Sequence, residues 1–146
     1  MGDHKQKAPT LLIVEDEPLI RASLAEALQD AGFNVIESGT AERAVDELKA
    51  AEIAGIVTDI RLGAGLNGWE VARHARQQHP HVAVIYMTGD SAFEWRSEGV
   101  PLSVMVQKPF AIAQMVTAIS NHLNAVAVAP VQPSLETPAQ RGSPIP

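Results

Sequence analysis

The chain alternates between short, nearly continuous apolar runs and longer stretches in which apolar residues recur every three or four positions. Short runs are typical of buried strands, and the wider spacing is typical of helices that bury one face. Five strands are predicted, at Thr10–Val14, Phe33–Glu37, Gly55–Asp59, Val82–Met87 and Leu102–Val106. Because apolar strands that alternate with helices indicate a parallel sheet covered on both faces, the pattern predicts a doubly wound α/β fold.

The stretches between the strands carry helix start and stop signals. Pro18 suits the first turn of a helix that stops at Gly32, and Thr40 suits the cap of the next helix. Two later helices are predicted at Gly68–Gln78 and Phe110–Leu123. The segment Ser91–Gly99 has little apolar periodicity, so at most a short helix is expected there.

The composition changes near the end of the chain. Five prolines fall among small and polar residues after Ala125, namely Pro130, Pro133, Pro138, Pro144 and Pro146. Neither a helix nor a central strand tolerates this density of proline. We therefore predict a flexible arm over residues 1–9, one folded domain over 10–124 and a disordered tail over 125–146, which suits a length of 146 residues.

Charge and composition exclude several classes of function. A net charge of −6, with no cluster of Lys or Arg, argues against binding to nucleic acid through phosphate contacts. The absence of cysteine excludes disulfides and thiol chemistry. No apolar run is long enough to cross a membrane, and the first residues lack the apolar core of a signal peptide. These features predict a cytoplasmic protein without membrane attachment.

Polar residues terminate four of the five predicted strands. Glu15 and Asp16 follow the first, Asp59 ends the third, Thr88 follows the fourth and Lys108 follows the fifth. Parallel strands end at one edge of their sheet, which is where open α/β sheets bind ligands. Each residue alone has an ordinary explanation, as a helix cap, a loop residue or a solvated lysine. Their joint placement predicts a functional site.

These residue types suit phosphoryl chemistry. A carboxylate such as Asp59 can act as a nucleophile that forms an aspartyl phosphate. Carboxylates about 4 Å apart repel by roughly 4 kcal/mol per pair at an effective dielectric of about 20, so Glu15, Asp16 and Asp59 together imply a bound cation such as Mg²⁺. Lys108 would attract the phosphoryl group as a point charge, and the Thr88 hydroxyl would donate a hydrogen bond to it.

With these residues the chain resembles the receiver domain of bacterial two-component response regulators. The resemblance extends from about Thr10 to Leu123. It rests on four segments, Leu12–Glu17, Ile56–Asp59, Met87–Gly89 and Lys108–Phe110. It implies a five-stranded sheet in the CheY-like order 2-1-3-4-5.

The resemblance assigns roles to individual residues. Asp59 would accept a phosphoryl group from the phosphohistidine of a sensor kinase or of a histidine phosphotransfer protein. Glu15 and Asp16 would form the acidic pair, with Asp16 as the direct Mg²⁺ ligand, and the backbone carbonyl of Arg61 would complete the metal site. In the family a threonine such as Thr88 is the switch hydroxyl.

Lys108 would be the phosphate-binding lysine, and the family's Lys–Pro bond, here Lys108–Pro109, is commonly cis. Arg61 and Asp90 occupy positions that tune dephosphorylation in the family. The chain would be a signalling protein that catalyses only its own phosphorylation and dephosphorylation.

The resemblance leaves two roles open. One is a single-domain switch that binds a downstream protein, or a second copy of itself, through the face of the fourth helix, fifth strand and fifth helix. The other is a phosphorelay intermediate or phosphate sink with little conformational output. Met105 replaces the aromatic that the family places on the fifth strand, which favours the relay. Phe93 and Trp95, which we expect to be exposed, favour the switch.

The sequence also matches two other motifs in part. The run Gly63–Gly68 formally matches the dinucleotide motif G-x-G-x-x-G, with Asp90 about twenty residues after it, but its first glycine lies four residues beyond the strand. A dehalogenase-type phosphatase also uses an aspartate nucleophile, but it needs a second aspartate at the position of Arg61. The dinucleotide motif would also leave Glu15, Asp16 and Lys108 without a role.

Overall fold

The computed structural model describes residues 7–128. Strands and helices alternate along this part of the chain. They are β1 (Thr10–Val14), α1 (Pro18–Asp30), β2 (Asn34–Ser38), α2 (Ala41–Ala50), β3 (Gly55–Asp59), α3 (Gly68–Gln78), β4 (Ala83–Thr88), a 3₁₀ turn (Ala92–Glu94), α4 (Trp95–Glu98), β5 (Ser103–Gln107) and α5 (Ile112–Val128). None of these helices is long and apolar enough to cross a membrane.

The strands form one parallel sheet in the order β2-β1-β3-β4-β5. The register places Val14 of β1 beside Thr58 of β3, and Asp59 of β3 beside Met87 of β4. Because all five strands run the same way, their carboxyl ends share one edge. The predicted doubly wound α/β fold and its strand order are confirmed.

The core consists of two apolar layers, one on each face of the sheet. Alternate residues of a strand point to opposite faces, so Leu12 and Leu11 enter different layers. The first layer packs the sheet against α2 and α3, and it includes Leu12, Val14, Leu48, Ile56, Trp69, Val71 and Tyr86. The second packs it against α1 and α5, and it includes Leu11, Ile13, Leu24, Leu28, Val57, Ile85, Met115 and Ile119.

Local capping fixes where the helices begin. Pro18 is the first residue of α1, and the Thr40 side chain accepts a hydrogen bond from the Arg43 amide at 3.1 Å, both as predicted. The α3 helix begins with a capping box. The Asn67 side chain accepts from the Glu70 amide at 3.0 Å, and the Glu70 carboxylate accepts from the Asn67 amide at 2.9 Å.

The structure corrects several predicted boundaries. Strands β2, β4 and β5 each begin and end one residue later than the apolar runs, because polar residues at their ends still pair, as Thr88 does with Gln107. The last helix is α5, Ile112–Val128, rather than Phe110–Leu123. Residues 125–128, predicted as tail, are therefore helical. Residues 1–6 and 129–146, which hold most of the predicted arm and tail, lie outside the described residues.

Candidate functional site

The carboxyl edge of the sheet brings together the predicted carboxylates and the predicted lysine. One carboxylate oxygen from each of Glu15, Asp16 and Asp59 lies within 4.8 Å of the others. The Lys108 ammonium lies 2.9 Å from Asp59 Oδ2 and 3.2 Å from Glu15 Oε1. Residues from β1, β3 and β5 therefore meet in one small site. An oxygen-only donor set with three carboxylates suits a hard divalent cation.

Backbone geometry holds the central carboxylate in place. Asp59 is buried, and its Oδ1 accepts a hydrogen bond from the Ile60 amide at 2.9 Å while Oδ2 accepts from Lys108. The Lys108 amide donates to the Thr88 carbonyl at 2.8 Å, which ties the end of β5 to the end of β4. The Lys108–Pro109 bond is cis, as the resemblance implied. Both oxygens of Asp59 thus have fixed partners.

Burial gives Glu15 unusual electrostatics. Its side chain is only 1% exposed, and this desolvation, together with the negative charge of Asp59, raises its pKa to about 7. Burial disfavours the charge on Lys108 as well, but its hydrogen bond to Asp59 and its attraction to both carboxylates outweigh this and raise its pKa. When all three carboxylates ionise, they face a single lysine, and a bound cation would offset the remaining negative charge.

A close backbone approach packs α3 against β3. The Gly68 amide donates to the Ile60 carbonyl at 2.8 Å, and a Cβ at Gly68 would overlap the Asp59 carbonyl oxygen. The sequence predicted Gly68 as the start of a helix and as part of a formal dinucleotide motif, but it did not predict this close approach. A glycine that opens a helix just after a functional strand was the available signal, since such glycines often permit close backbone contact.

Two side chains pair at the rim of the site. Arg61 Nε lies 3.0 Å from Asp90 Oδ2, and both side chains are largely exposed. The hydrogen bond from Arg61 lowers the pKa of Asp90, and a hydrogen bond from Ser91 acts in the same direction. The ion pair links the loop after β3 to the loop after β4. The role of the Arg61 carbonyl as a metal ligand stays a prediction.

Thr88 is turned toward the β4–β5 connection. Its Oγ1 accepts hydrogen bonds from the Ser91 amide at 2.8 Å and from the Asp90 amide at 3.3 Å. The hydroxyl lies at the end of the strand next to Asp59, so it is at the predicted edge. Its partners are nevertheless backbone amides, which the sequence did not predict.

An apolar cleft of about 540 Å³ adjoins the lysine. It lies between the start of α1 and the connection from β5 to α5, and it is lined by Leu19, Ile20, Ser23, Lys108, Pro109, Phe110 and Ile112. Leu19, one of the residues that line this cleft, is 80% exposed. Apolar surface therefore lies directly beside the charged site.

Comparison with known proteins gives a consistent result. The model of the response regulator receiver domain matches residues 11–120. A solved response regulator receiver protein from Sinorhizobium medicae is 42% identical, with a TM-score of 0.79 over 82% of this chain and 98% of that one. The transcriptional regulatory protein FixJ of Azorhizobium caulinodans is 29% identical over 109 residues, which are 73% of this chain and 51% of FixJ.

The probable transcriptional regulatory protein TcrX of Mycobacterium tuberculosis is 28% identical over 109 residues, which are 73% of this chain and 46% of TcrX. The chain thus spans about half the length of these two regulators. The family match covers most of the described fold and includes all five strands. The chain therefore belongs to the response regulator receiver domain family, the signalling domains of two-component systems.

Proposed function

We propose that Asp59 accepts a phosphoryl group from the phosphohistidine of a sensor histidine kinase or a histidine phosphotransfer protein. The observation that carries this proposal is the position of Asp59, buried between the Lys108 ammonium and the carboxylates of Glu15 and Asp16. A carboxylate oxygen of Asp59 forms a bond to phosphorus as the phosphorus–nitrogen bond of the donor histidine breaks. The leaving imidazole nitrogen keeps the electron pair of that bond.

The residues around Asp59 suit this transfer because it requires positioning and charge compensation. Lys108 already contacts Asp59 and would attract the transferred group as a point charge. The Thr88 hydroxyl would donate to a phosphoryl oxygen from the end of β4. Phosphoryl transfer by a receiver is a self-modification, so we assign the chain a signalling role and not the turnover of a metabolite.

Glu15, Asp16 and Asp59, with the Arg61 carbonyl, would hold Mg²⁺. The acidic oxygens within 4.8 Å of one another support this assignment, because the single ammonium of Lys108 does not offset three ionised carboxylates. A bound Mg²⁺ would neutralise charge on the carboxylates and on the phosphoryl oxygens. Asp16 is exposed, so it can exchange water for a metal contact with little rearrangement.

The donor protein would cover the apolar cleft beside Lys108. A phosphohistidine can reach Asp59 only if its protein contacts the surface around the site, and the cleft with Leu19 supplies apolar area there. This observation supports a protein as the physiological phosphodonor.

We propose that phosphorylation switches binding of a downstream protein at the face of α4, β5 and α5. Phe93, in the turn before α4, is 81% exposed and Trp95 is 37% exposed, which supports this role. A second copy of the chain is another candidate partner for this face.

The alternative function is that of a phosphorelay intermediate or phosphate sink. Met105 favours it, because the described β5 lacks an aromatic side chain. Unchanged amide exchange throughout residues 89–107 of the phosphorylated protein would favour the relay.

Intact mass after incubation with a small phosphodonor tests the acceptor. The wild type should gain one phosphoryl group, only when Mg²⁺ is present, and Asp59→Asn should gain none. Asp46→Asn, which changes an exposed aspartate on α2, is the matched control and should behave as the wild type. Modification of the Asp59→Asn variant, or no gain in the wild type, would contradict the proposal.

A further inference from the structure

Two side chains of β4 hold opposite ends of the connection between β4 and β5. At its start, Thr88 Oγ1 accepts a hydrogen bond from the Ser91 amide at 2.8 Å. At its end, Tyr86 Oη accepts one from the Val100 amide at 3.0 Å. Tyr86 and Thr88 are two residues apart, so they point to the same face of the sheet. We call Tyr86 the end anchor and Thr88 the start anchor.

The end anchor is fixed in the core. Tyr86 is fully buried, and its ring lies 4.6 Å from the ring of Trp69 at an interplanar angle of 60°. The register of the sheet places Tyr86 directly beside Met105 of β5. This chain therefore carries a buried aromatic on β4 next to the position where β5 has a methionine. The ring cannot turn outward without leaving a large void in the core.

Other contacts reinforce the same end of the connection. Arg76 of α3 donates to the carbonyls of Val82, Pro101 and Leu102, and Ser103 Oγ donates to the Val100 carbonyl at 2.6 Å. Leu102 has a φ of +57°, a conformation that is uncommon for a residue with a side chain. The carbonyl hydrogen bond from Arg76 helps to hold it there.

The middle of the connection is held less firmly. It consists of a three-residue 3₁₀ turn and the four-residue α4, which are too short to be stable alone. Phe93 is largely exposed, and Glu98 is joined to Arg73 by an ion pair of 2.6 Å between half-exposed side chains. Trp95 Nε1 donates to Ser103 Oγ at 3.0 Å, so α4 is held together with the end of the connection. The 3₁₀ turn with Phe93 depends on the start of the connection.

We propose that Tyr86 and Arg76 are positioning residues that keep the end of the connection fixed when the proposed phosphorylation of Asp59 draws Thr88 away from its start. This inference rests on the proposed function, because it requires the Thr88 hydroxyl to move toward a phosphoryl group on Asp59. That movement lengthens the hydrogen bond from the Ser91 amide. Residues 91–94 then shift, and the exposed Phe93 changes its position while the Tyr86 ring stays inside.

Amide hydrogen exchange at single-residue resolution tests both anchors in the full chain. In wild type, phosphorylation should accelerate exchange of the Ser91 amide about tenfold and leave the Val100 amide unchanged. Tyr86→Phe keeps the ring and removes only the hydroxyl, so the Val100 amide should exchange about tenfold faster without phosphorylation. Thr88→Ala should likewise accelerate exchange of the Ser91 amide without phosphorylation. Each variant serves as the control for the other, because Tyr86→Phe should leave Ser91 unchanged and Thr88→Ala should leave Val100 unchanged.

The intact mass of the same samples separates failure of the proposed phosphorylation from failure of the proposed anchoring. Loss of protection at Val100 in fully phosphorylated wild type would overturn the inference, as would unchanged exchange at Ser91. A sample that gains no phosphoryl group would refute the proposed function and with it the release step. The unphosphorylated variants would still test whether Tyr86 and Thr88 hold the connection. Unchanged exchange at Val100 in Tyr86→Phe would show that Tyr86 does not hold the end of the connection.

Discussion

Lys108 contacts two carboxylates that reach the site from different strands. Its ammonium lies 2.9 Å from Asp59 Oδ2 and 3.2 Å from Glu15 Oε1. Both carboxylates are also proposed ligands of Mg²⁺. The lysine therefore compensates the charge of the site when no metal is bound, and it competes electrostatically with an incoming cation. One residue would thus affect both metal affinity and the proposed phosphoryl transfer.

Replacing Lys108 with methionine should strengthen Mg²⁺ binding while slowing phosphorylation. Removal of the positive charge favours the cation, and we expect the apparent Kd for Mg²⁺ to fall about tenfold, which corresponds to about 1.4 kcal/mol. The shift of the thermal unfolding midpoint with MgCl₂ concentration measures this affinity. Lys108→Arg, which keeps the charge, and Lys49→Met, on an exposed part of α2, should both resemble the wild type. Weaker Mg²⁺ binding by Lys108→Met would contradict this competition.

At the scale of elements, the start of α3 packs directly against the end of β3. The capping box of Asn67 and Glu70 fixes the first turn, and Gly68 brings that turn into backbone contact with Asp59. The loop before it contains Gly63 and Gly65, both at positive φ. The glycines of the run Gly63–Gly68 therefore allow the tight connection between β3 and the closely packed α3.

Gly68→Ala should destabilise the protein much more than Gly63→Ala. A Cβ at Gly68 would overlap backbone atoms of Asp59 and Ile60, whereas a Cβ at Gly63 meets no atom within 4 Å. We expect a loss of about 3 kcal/mol or more in the free energy of unfolding for Gly68→Ala. Gly63→Ala should lose about 1–2 kcal/mol, because its φ is +86°. Urea unfolding measures both values, and equal losses would refute the close approach.

At the scale of the whole molecule, the parallel sheet concentrates acidic groups at one edge. Folding buries Glu15 and places it beside Asp59, so the native state holds a proton more tightly there than the unfolded chain does. The stability of the metal-free protein is therefore coupled to pH and to cations. This coupling follows from the topology, because residues from β1, β3 and β5 create the site together.

Without divalent cations, the free energy of unfolding should fall as the pH rises from about 4.5 to above 7. The pKa of Glu15 is raised from 4.5 to about 7, so its stabilising effect is fully present below pH 4.5 and is lost as the pH passes 7. This difference corresponds to about 3 kcal/mol, at about 1.4 kcal/mol per unit of pKa. Urea unfolding in a chelating buffer across this pH range measures the trend.

Glu15→Gln should flatten this pH dependence, since glutamine does not titrate. Glu26→Gln, which alters an exposed residue of α1, should keep the wild-type slope. Saturating Mg²⁺ should also reduce the slope, because a bound cation favours the ionised carboxylate. Equal slopes for the wild type and Glu15→Gln in chelator would show that Glu15 is not the titrating group.

The sequence by itself determined the elements and which residues reach the functional edge. Apolar runs of four to six residues specify buried strands, and the polar residues after them must lie at one edge once the strands are parallel. This is why Glu15, Asp16, Asp59 and Lys108 could be predicted to converge. The signals for this part of the fold are local in the chain, as are the Pro18 and Thr40 helix starts.

The tertiary structure alone decided how those residues pair. Several contacts join positions that are distant in sequence or separated by a turn. They are the two contacts of Lys108, the close approach of Gly68 to Asp59 and the hydrogen bond from Val100 to Tyr86. The extension of α5 to Val128 likewise exceeds the apolar pattern that predicted it. Such contacts depend on the distances between packed elements, and periodicity and composition do not encode those distances.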